Sequence, residues 1–367
     1  MNVERPIVHV VGARPNFVKA APVLRALHER GAAQVLIHTG QHYDSAMSDV
    51  FFVDLGLPEP HVNLGVGSGS HAQQTAAVMA AIEPVLLEVD AGALVVYGDV
   101  NSTLAAALVA TKLSIPVVHV EAGLRSFDMA MPEEVNRRLV DQISDLLLIT
   151  SPDAAVHLGR EGIAESRVRF VGNPMIDSLF RLRERFTPDE VMRDAGVAGS
   201  FAVTTIHRPS NVDDPARAAE VVEMLHRVAD ELPVVIPLHP RGRATLLATG
   251  LDRHSSLRIV DPMGYQQFLS LVSGATVVVT DSGGIQEETT MLDVPCITVR
   301  DSTERPITIS HGTNRLMDLD AVPQAVREVM AGEWRPSQHR PPLWDGHAGE
   351  RCAEEILSLL DRSNASR

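Results

Sequence analysis

Residues 93–125 read ALVVYGDVNSTLAAALVATKLSIPVVHVEAGLR, and the architecture of the chain can be built from them. Two apolar, β-branched runs, Ala93–Tyr97 and Val117–Val120, flank a helical segment at Thr103–Leu113. That spacing predicts a βαβ unit with parallel strands and a crossover helix. Neither strand alternates polar with apolar residues, as expected of a sheet covered on both faces. Each strand also runs into polar residues: Gly98-Asp99 after the first and Glu121-Ala-Gly-Leu-Arg125 after the second. Ligands of open parallel sheets bind outside the carboxyl ends of the strands, so these are the positions to inspect.

The same rhythm extends in both directions. Strands are predicted at Ile7–Val11, Val35–Thr39, Leu146–Thr150 and Arg167–Val171, with helices at Phe17–Glu29, His71–Glu88 and Glu133–Ile143. It pauses over 173–199, which reads as a connecting helix and a polar, Gly-bounded stretch. It restarts with strands Phe201–Ile206, Val234–Leu238, Leu257–Val260, Thr276–Thr280 and Pro295–Val299. Helices are expected near Pro215–Asp230, Tyr265–Ser273, Gly284–Leu292 and Asp320–Ala331. Two similar halves predict an α/β protein of two doubly wound, Rossmann-like domains facing each other across a cleft. The expected boundaries are 1–172, 173–348, and 349–367 for a last helix, Gly349–Leu360, packing back on the first domain.

Bulk properties narrow the function. With 367 residues, 45% apolar and 22% charged, the chain can bury enough surface to offset its ordering entropy. A formal charge of -15 argues against a broad nucleic-acid surface. It leaves room for a small anionic ligand held by a few focused basic residues. Cys296 and Cys352 are far apart in apolar surroundings and read as buried small residues. No cysteine accompanies the 15 histidines, and no metal site is expected. The start of the chain lacks a signal peptide's apolar region, and no apolar run reaches the ~20 residues that span a bilayer. The expected compartment is the cytoplasm, without a membrane partner.

Polar residues recur at strand ends. Gly12-Ala-Arg14-Pro-Asn-Phe-Val-Lys19 follows the first strand, and in the second half His207-Arg208, His239 and Asp281-Ser282-Gly283-Gly284 hold equivalent places. Taken singly, each reads as well as a loop residue or a helix cap; together they point to a shared site. Ser282-Gly283-Gly284 opens a helix after a β-branched strand, so its N–H groups could face an anion. A tight turn capped by Ser282 explains the same spacing. Asp99, Glu121 and Glu133-Glu134 put carboxylates on consecutive connections, where they could serve proton transfer. For Glu133-Glu134 alone, complementing a helix dipole is explanation enough. Gly65-Val-Gly-Ser-Gly69 lacks dinucleotide-loop spacing, follows no convincing strand and reads as a plain loop.

With these residues in hand, the chain resembles the non-hydrolysing UDP-N-acetylglucosamine 2-epimerases along essentially its whole length. The collinear signatures are Gly12-Ala-Arg14-Pro15 with Lys19, Thr39-Gly-Gln-His42, Gly98-Asp99, His119 to Arg125, Pro132 to Arg137, Gly172-Asn173, His207-Arg208, Thr280 to Glu288 and Arg300 to Pro306. The resemblance implies the two-domain fold shared with GT-B glycosyltransferases, a homodimer, and interconversion of UDP-GlcNAc and UDP-ManNAc without added cofactor. It implies elimination of UDP to 2-acetamidoglucal and re-addition after C2 is protonated on the opposite face. By matching motif, Asp99, Glu121 and Glu133 would be the catalytic carboxylates and His207 the catalytic histidine near the leaving UDP. Arg14 and Lys19 with Ser282, Gly283 and Gly284 would bind the diphosphate, Glu288 the ribose and Phe268 the uracil, with Arg305 completing the UDP site.

Several positions depart from the family pattern. Asn16 stands where Glu is common, Pro209-Ser210 interrupts the usual His-Arg-x-Glu-Asn, and Met263 replaces a frequent glutamine. The connection from Arg125 to Pro132 is short, and no arginine occurs around Gln73, so activation by a second UDP-GlcNAc is not expected. A hydrolysing relative that releases free ManNAc, and a 2-epimerase for a modified sugar such as a diacetamido-uronate, are the alternative readings.

Overall fold

The computed structural model describes residues 5–40, 52–238, 240–337 and 339–365. They form two compact units. The first comprises the chain up to Arg181 together with Pro342 onward, and the second is Leu182–Pro341.

In the first unit, β1 (Ile7–Val11), β2 (Gln34–His38), β3 (Val62–Asn63), β4 (Ala93–Tyr97), β5 (Val117–Ala122), β6 (Leu146–Ile149) and β7 (Val168–Phe170) pair in the order β3-β2-β1-β4-β5-β6-β7. All pairings are parallel. Strands β1, β4 and β5 are buried at every position, and apart from His9, His119 and Glu121 their residues are apolar or aromatic. On one face Val8, Val10, Leu94 and Val96 pack with Ile82, Leu86, Ala106 and Ala110 of helices His71–Glu88 and Asn101–Lys112. Each large apolar side chain buried this way contributes about 1.5–3 kcal/mol.

The second unit repeats the plan. Strands β8 (Ala202–Thr205), β9 (Val234–Pro237), β10 (Leu257–Val260), β11 (Val277–Thr280), β12 (Cys296–Thr298) and β13 (Asn314–Leu316) form a parallel sheet ordered β10-β9-β8-β11-β12-β13. Both sheets therefore reverse strand order once: between β1 and β4 in the first unit, and between β8 and β11 in the second. A doubly wound sheet opens a ligand crevice at such a reversal.

Two strands are absent from the sequence reading. The edges β3 and β13 span two and three residues, too short for any periodicity to show. β3 also means that the glycine loop from Gly65 does follow a strand, with Gly65 N–H donating to Asn63 Oδ1 at 3.0 Å. Cys296 and Cys352 are both free and buried. No helix among the described residues is long and apolar enough to cross a membrane.

Helix Pro174–Arg183, read from sequence as the connection into the second domain, is tied into the first unit. Ser178 Oγ donates to the Val18 carbonyl at 2.6 Å. Asp177 accepts the N–H groups of Ala348 and Gly349 at 3.2 and 2.7 Å, where helix Ala348–Ala365 begins. That last helix packs on helix Arg14–Glu29. Burial pushes the Asp177 carboxyl from 3.8 up to about 6, with Asp345 adding to the shift, against the opposing effect of the two N–H donors.

Because this folded value is raised, the group's contribution is fully present below the unfolded value and is lost as pH rises through about 6. Asp177→Asn removes the titration. Relative to the parent, the variant is expected to gain up to about 3 kcal/mol between pH ~4 and ~7. Urea unfolding of both proteins at the two pH values measures it, and a pH-independent difference would contradict the argument.

Candidate active site

At the reversal in the first sheet, the chain leaves β1 through Gly12 and enters helix Arg14–Glu29. Asn16 joins this turn to the end of β4. Its Oδ1 accepts N–H groups from Gly12 and Ala13 at 3.0 and 3.1 Å, and its Nδ2 donates to the Tyr97 carbonyl at 2.7 Å. An amide can do both, whereas a carboxylate could not donate to Tyr97. That accounts for Asn at a position where the resemblance anticipates Glu.

Lys19, one turn further on, is buried and ion-paired with Glu121. Glu121 lies within β5 at φ +71°, where the register against β6 shifts between Val120 and Ala122. A non-glycine residue in this left-handed region costs about 1–2 kcal/mol, and such an irregularity re-aims a side chain out of the pleat. Gly98, at φ +62°, makes room for the pair. A Cβ there would stand 3.1 Å from Glu121 Oε2 and 3.3 Å from Lys19 Nζ.

Asp99 follows Gly98 and is ion-paired with Arg137. The same guanidinium donates to Glu134 Oε2 at 2.6 Å, and Glu134 also accepts the Ser126 N–H and hydroxyl, each at 2.9 Å. Of the two neighbouring acids, Glu134 is thus fully buried and fixes the start of helix Pro132–Ile143, while Glu133 is half-buried on the same first turn. Asn136 Nδ2 donates to the Asp99 carbonyl at 2.9 Å.

Beneath these groups lies a buried charge chain. His119 Nε2 meets the Gly98 carbonyl at 2.8 Å, and its Nδ1 meets Asp141 Oδ1 at 2.7 Å. Asp141 Oδ2 pairs with Arg125 at 2.7 Å and accepts the Gly123 N–H at 3.1 Å. Arg125 also forks onto Glu161 at 2.9 and 2.6 Å. Burial works to lower the Arg125 pKa, but the two carboxylates outweigh it and the net shift is upward. The chain joins the turn that bears Asp99 to the strand that bears Glu121.

The second unit has a counterpart at its own reversal. Asp281, directly after β11, is fully buried. It accepts the N–H groups of His207 and Arg208 after β8 at 3.0 and 2.9 Å and Asn211 Nδ2 at 3.1 Å. His207 Nδ1 stands 3.1 Å from Asp281 Oδ1. Pro209, which departs from the family pattern, opens the short helix Pro209–Val212 that delivers Asn211.

Ser282 occupies the N-cap position of helix Gly283–Leu292, but its hydroxyl makes no cap hydrogen bond. The capped-turn reading therefore loses its main support. Gly283 is packed under Arg305, since a Cβ there would lie 2.5 Å from Arg305 Nη1. Arg305 pairs with Glu304 and with Glu287, the latter at 3.1 Å. Glu288 Oε1 accepts the Tyr265 hydroxyl at 2.7 Å. Burial, with Glu288 beside it, raises the Tyr265 pKa well above its usual value. Phe268 and Met263 are partly buried against the core formed by Phe201, Val203, Leu271 and Val278.

The structure thus brings Lys19, Asp99 and Glu121 together in one unit and His207 with the Ser282 turn in the other. The Arg14 side chain, Gln41, His42 and His239 lie outside the described residues. His38 and His42 stand four apart in the sequence; His38 Nδ1 accepts the Gly40 N–H at 3.2 Å. Sequence reasoning gave no role to Asp281, Tyr265, Asn211, His119 or Asp141. Their partners lie on neighbouring strands or helices, and strand adjacency is not a spacing.

Each of the two doubly wound sheets thus has charged residues gathered at its reversal. Residues 25–357 match the family described as UDP-N-acetylglucosamine 2-epimerase, and the chain belongs to that family. It is 40% identical over 354 residues to the UDP-N-acetylglucosamine 2-epimerase of Methanocaldococcus jannaschii, covering 93% of this chain and 96% of the relative. It is 38% identical over 365 residues to the UDP-2,3-diacetamido-2,3-dideoxy-D-glucuronate 2-epimerase of Pseudomonas aeruginosa, covering 96% and 99%. The crystal structure of the M. jannaschii enzyme with UDP-GlcNAc and UDP superimposes with a TM-score of 0.88 at 37% identity, over 96% of this chain and 99% of that one.

Proposed function

We propose that this enzyme interconverts UDP-GlcNAc and UDP-ManNAc. The C2 proton passes to a carboxylate as the C1–O bond breaks, giving UDP and 2-acetamidoglucal. A proton then reaches C2 from the opposite face and a UDP oxygen re-forms the bond to C1, so no cofactor is consumed. No carbonyl acidifies this C2–H bond, and the enzyme must supply proton-transfer groups on two faces while stabilising the departing diphosphate.

The observation that carries this reading is the buried Lys19–Glu121 pair at the first sheet's reversal, beside Asp99 on the adjoining connection. Asp99, Glu121 and Glu133 are the proposed proton-transfer carboxylates and His207 the histidine that meets the leaving UDP. Arg14, Ser282, Gly283 and Gly284 are assigned to the diphosphate, Glu288 to the ribose and Phe268 to the uracil, with Arg305 completing the UDP site. Lys19, the ion-pair partner of Glu121, is assigned to the diphosphate with them. The M. jannaschii structure with UDP-GlcNAc and UDP supports the choice of substrate. A homodimer is part of the same proposal.

Incubation with UDP-GlcNAc in deuterated water is the test. UDP-ManNAc carrying deuterium at C2 is expected; absence of both epimer and exchange would sink the proposal. Free ManNAc and UDP accumulating in step would replace it with hydrolysis. The P. aeruginosa relative supports one second reading, a diacetamido-uronate substrate. A higher kcat/KM for that sugar nucleotide than for UDP-GlcNAc would select it.

A further inference from the structure

Asp281 is placed unlike an ordinary turn residue. Its carboxylate is fully buried, yet it touches a histidine ring that is 37% exposed. Three donors hold it: the N–H groups of His207 and Arg208, and Asn211 Nδ2, at 3.0, 2.9 and 3.1 Å. The ends of β8 and β11 that carry the pair are joined by the Thr205 and Thr280 hydroxyls, 2.7 Å apart. With both oxygens engaged, the carboxylate cannot swing away, and the imidazole is the movable partner. Arg208 and Glu304 also lie beside the pair. Arg208 Nε donates to the Asp281 carbonyl at 2.8 Å, and its Nη2 lies 3.7 Å from Glu304 Oε1.

An ionised carboxylate only accepts, so the ring nitrogen 3.1 Å from it must carry hydrogen. His207 is then protonated on Nδ1, and the lone pair sits on Nε2. Asp281 stays ionised: burial works to raise its pKa, but the hydrogen bond from the His207 ring, with the Arg208 N–H and Asn211, works against burial and the net shift is below the usual carboxylate range.

We propose that Asp281 is a positioning residue for the reaction, fixing His207 in its Nδ1–H tautomer and holding the imidazolium that forms when Nε2 takes a proton. This rests on the reading of His207 as the group that meets the leaving diphosphate. It adds that the histidine works as half of a dyad, with the carboxylate donated by the neighbouring strand. The dyad assigns to Asp281 a role beyond clamping the His207-Arg208 turn. A clamp needs only acceptor oxygens, which asparagine retains in part, whereas the tautomer needs an atom that cannot donate.

Two measurements decide it. In the 15N-labelled wild-type protein with UDP bound, the His207 imidazole signals, identified by their loss in His207→Asn, are expected to show Nδ1–H; an Nε2–H tautomer would overturn the inference without any variant of Asp281. In Asp281→Asn, kcat is expected to fall ~100-fold or more while KM for UDP-GlcNAc stays nearly constant. Full turnover by Asp281→Asn beside a crippled His207→Asn would overturn the inference alone. Full turnover by His207→Asn would instead overturn the reading on which it rests.

Discussion

Replacing Glu121 by glutamine is expected to lower kcat by ~100-fold or more while UDP affinity is largely kept. The substitution preserves shape and removes the one property that proton transfer requires. Glu121 is held in the left-handed region at φ +71° and paired with Lys19, so the backbone of this part of β5 is bent to present a charged side chain. Structures sustain such strain where the surrounding contacts over-determine it, and these places are commonly functional. Binding of UDP should largely survive, because most of the groups assigned to UDP, the Ser282 turn and Glu288 among them, belong to the second unit. Calorimetric titration with UDP and turnover of UDP-GlcNAc give the two numbers. A variant that turned over at the parental rate would remove Glu121 from the chemistry.

The largest loss of stability is expected from Gly172→Ala. Gly172 sits at φ +86°, and a Cβ there would stand 2.1 Å from the Leu343 carbonyl oxygen, a backbone atom with little room to retreat. The left-handed conformation costs about 1–2 kcal/mol for alanine, and the overlap adds about 1–3 kcal/mol. Gly31 is a matched control: its φ of +75° imposes the first penalty, while its Cβ would meet nothing within 4 Å. Denaturant unfolding should therefore separate the two variants, with Gly172→Ala lower by more than 1 kcal/mol. Equal losses would mean that the chain around Leu343 yields more readily than its packing implies.

The βαβ order was legible because buried parallel strands are continuously apolar and their ends are not. Ala93–Tyr97 and Leu257–Val260 carry the boundaries read from sequence, and Val117–Val120 extends by two residues to Ala122. Those two residues contain the bulge at Glu121, a backbone event that no propensity marks. Helix Pro174–Arg183 was visible as a helix, but its attachment was not. Asp177 and Ser178 bond to Ala348 and Val18, far away along the chain.

The site divides in the same way. Asp99, Glu121 and His207 stood out as candidates because they follow apolar runs in the sequence. Lys19 was read as a phosphate ligand from its motif, and its pairing with Glu121 shows only once β1 and β5 flank β4 in the sheet. Asp281 lay in plain view within a quoted run. Its link to His207 depends on β8 lying beside β11, although 74 residues separate them.

The second unit interrupts the first in the sequence, since residues through Arg181 and from Pro342 onward belong together. On the ribosome, the carboxylate-bearing sheet is made early but waits for helix Ala348–Ala365, whose start is capped by Asp177. The inserted unit emerges whole before that helix does. Since domains generally fold as units during synthesis, the part holding His207 and the Ser282 turn can finish folding first. The half that was translated first closes last, and a nascent chain stalled once Pro341 has cleared the exit tunnel should already hold a folded second unit.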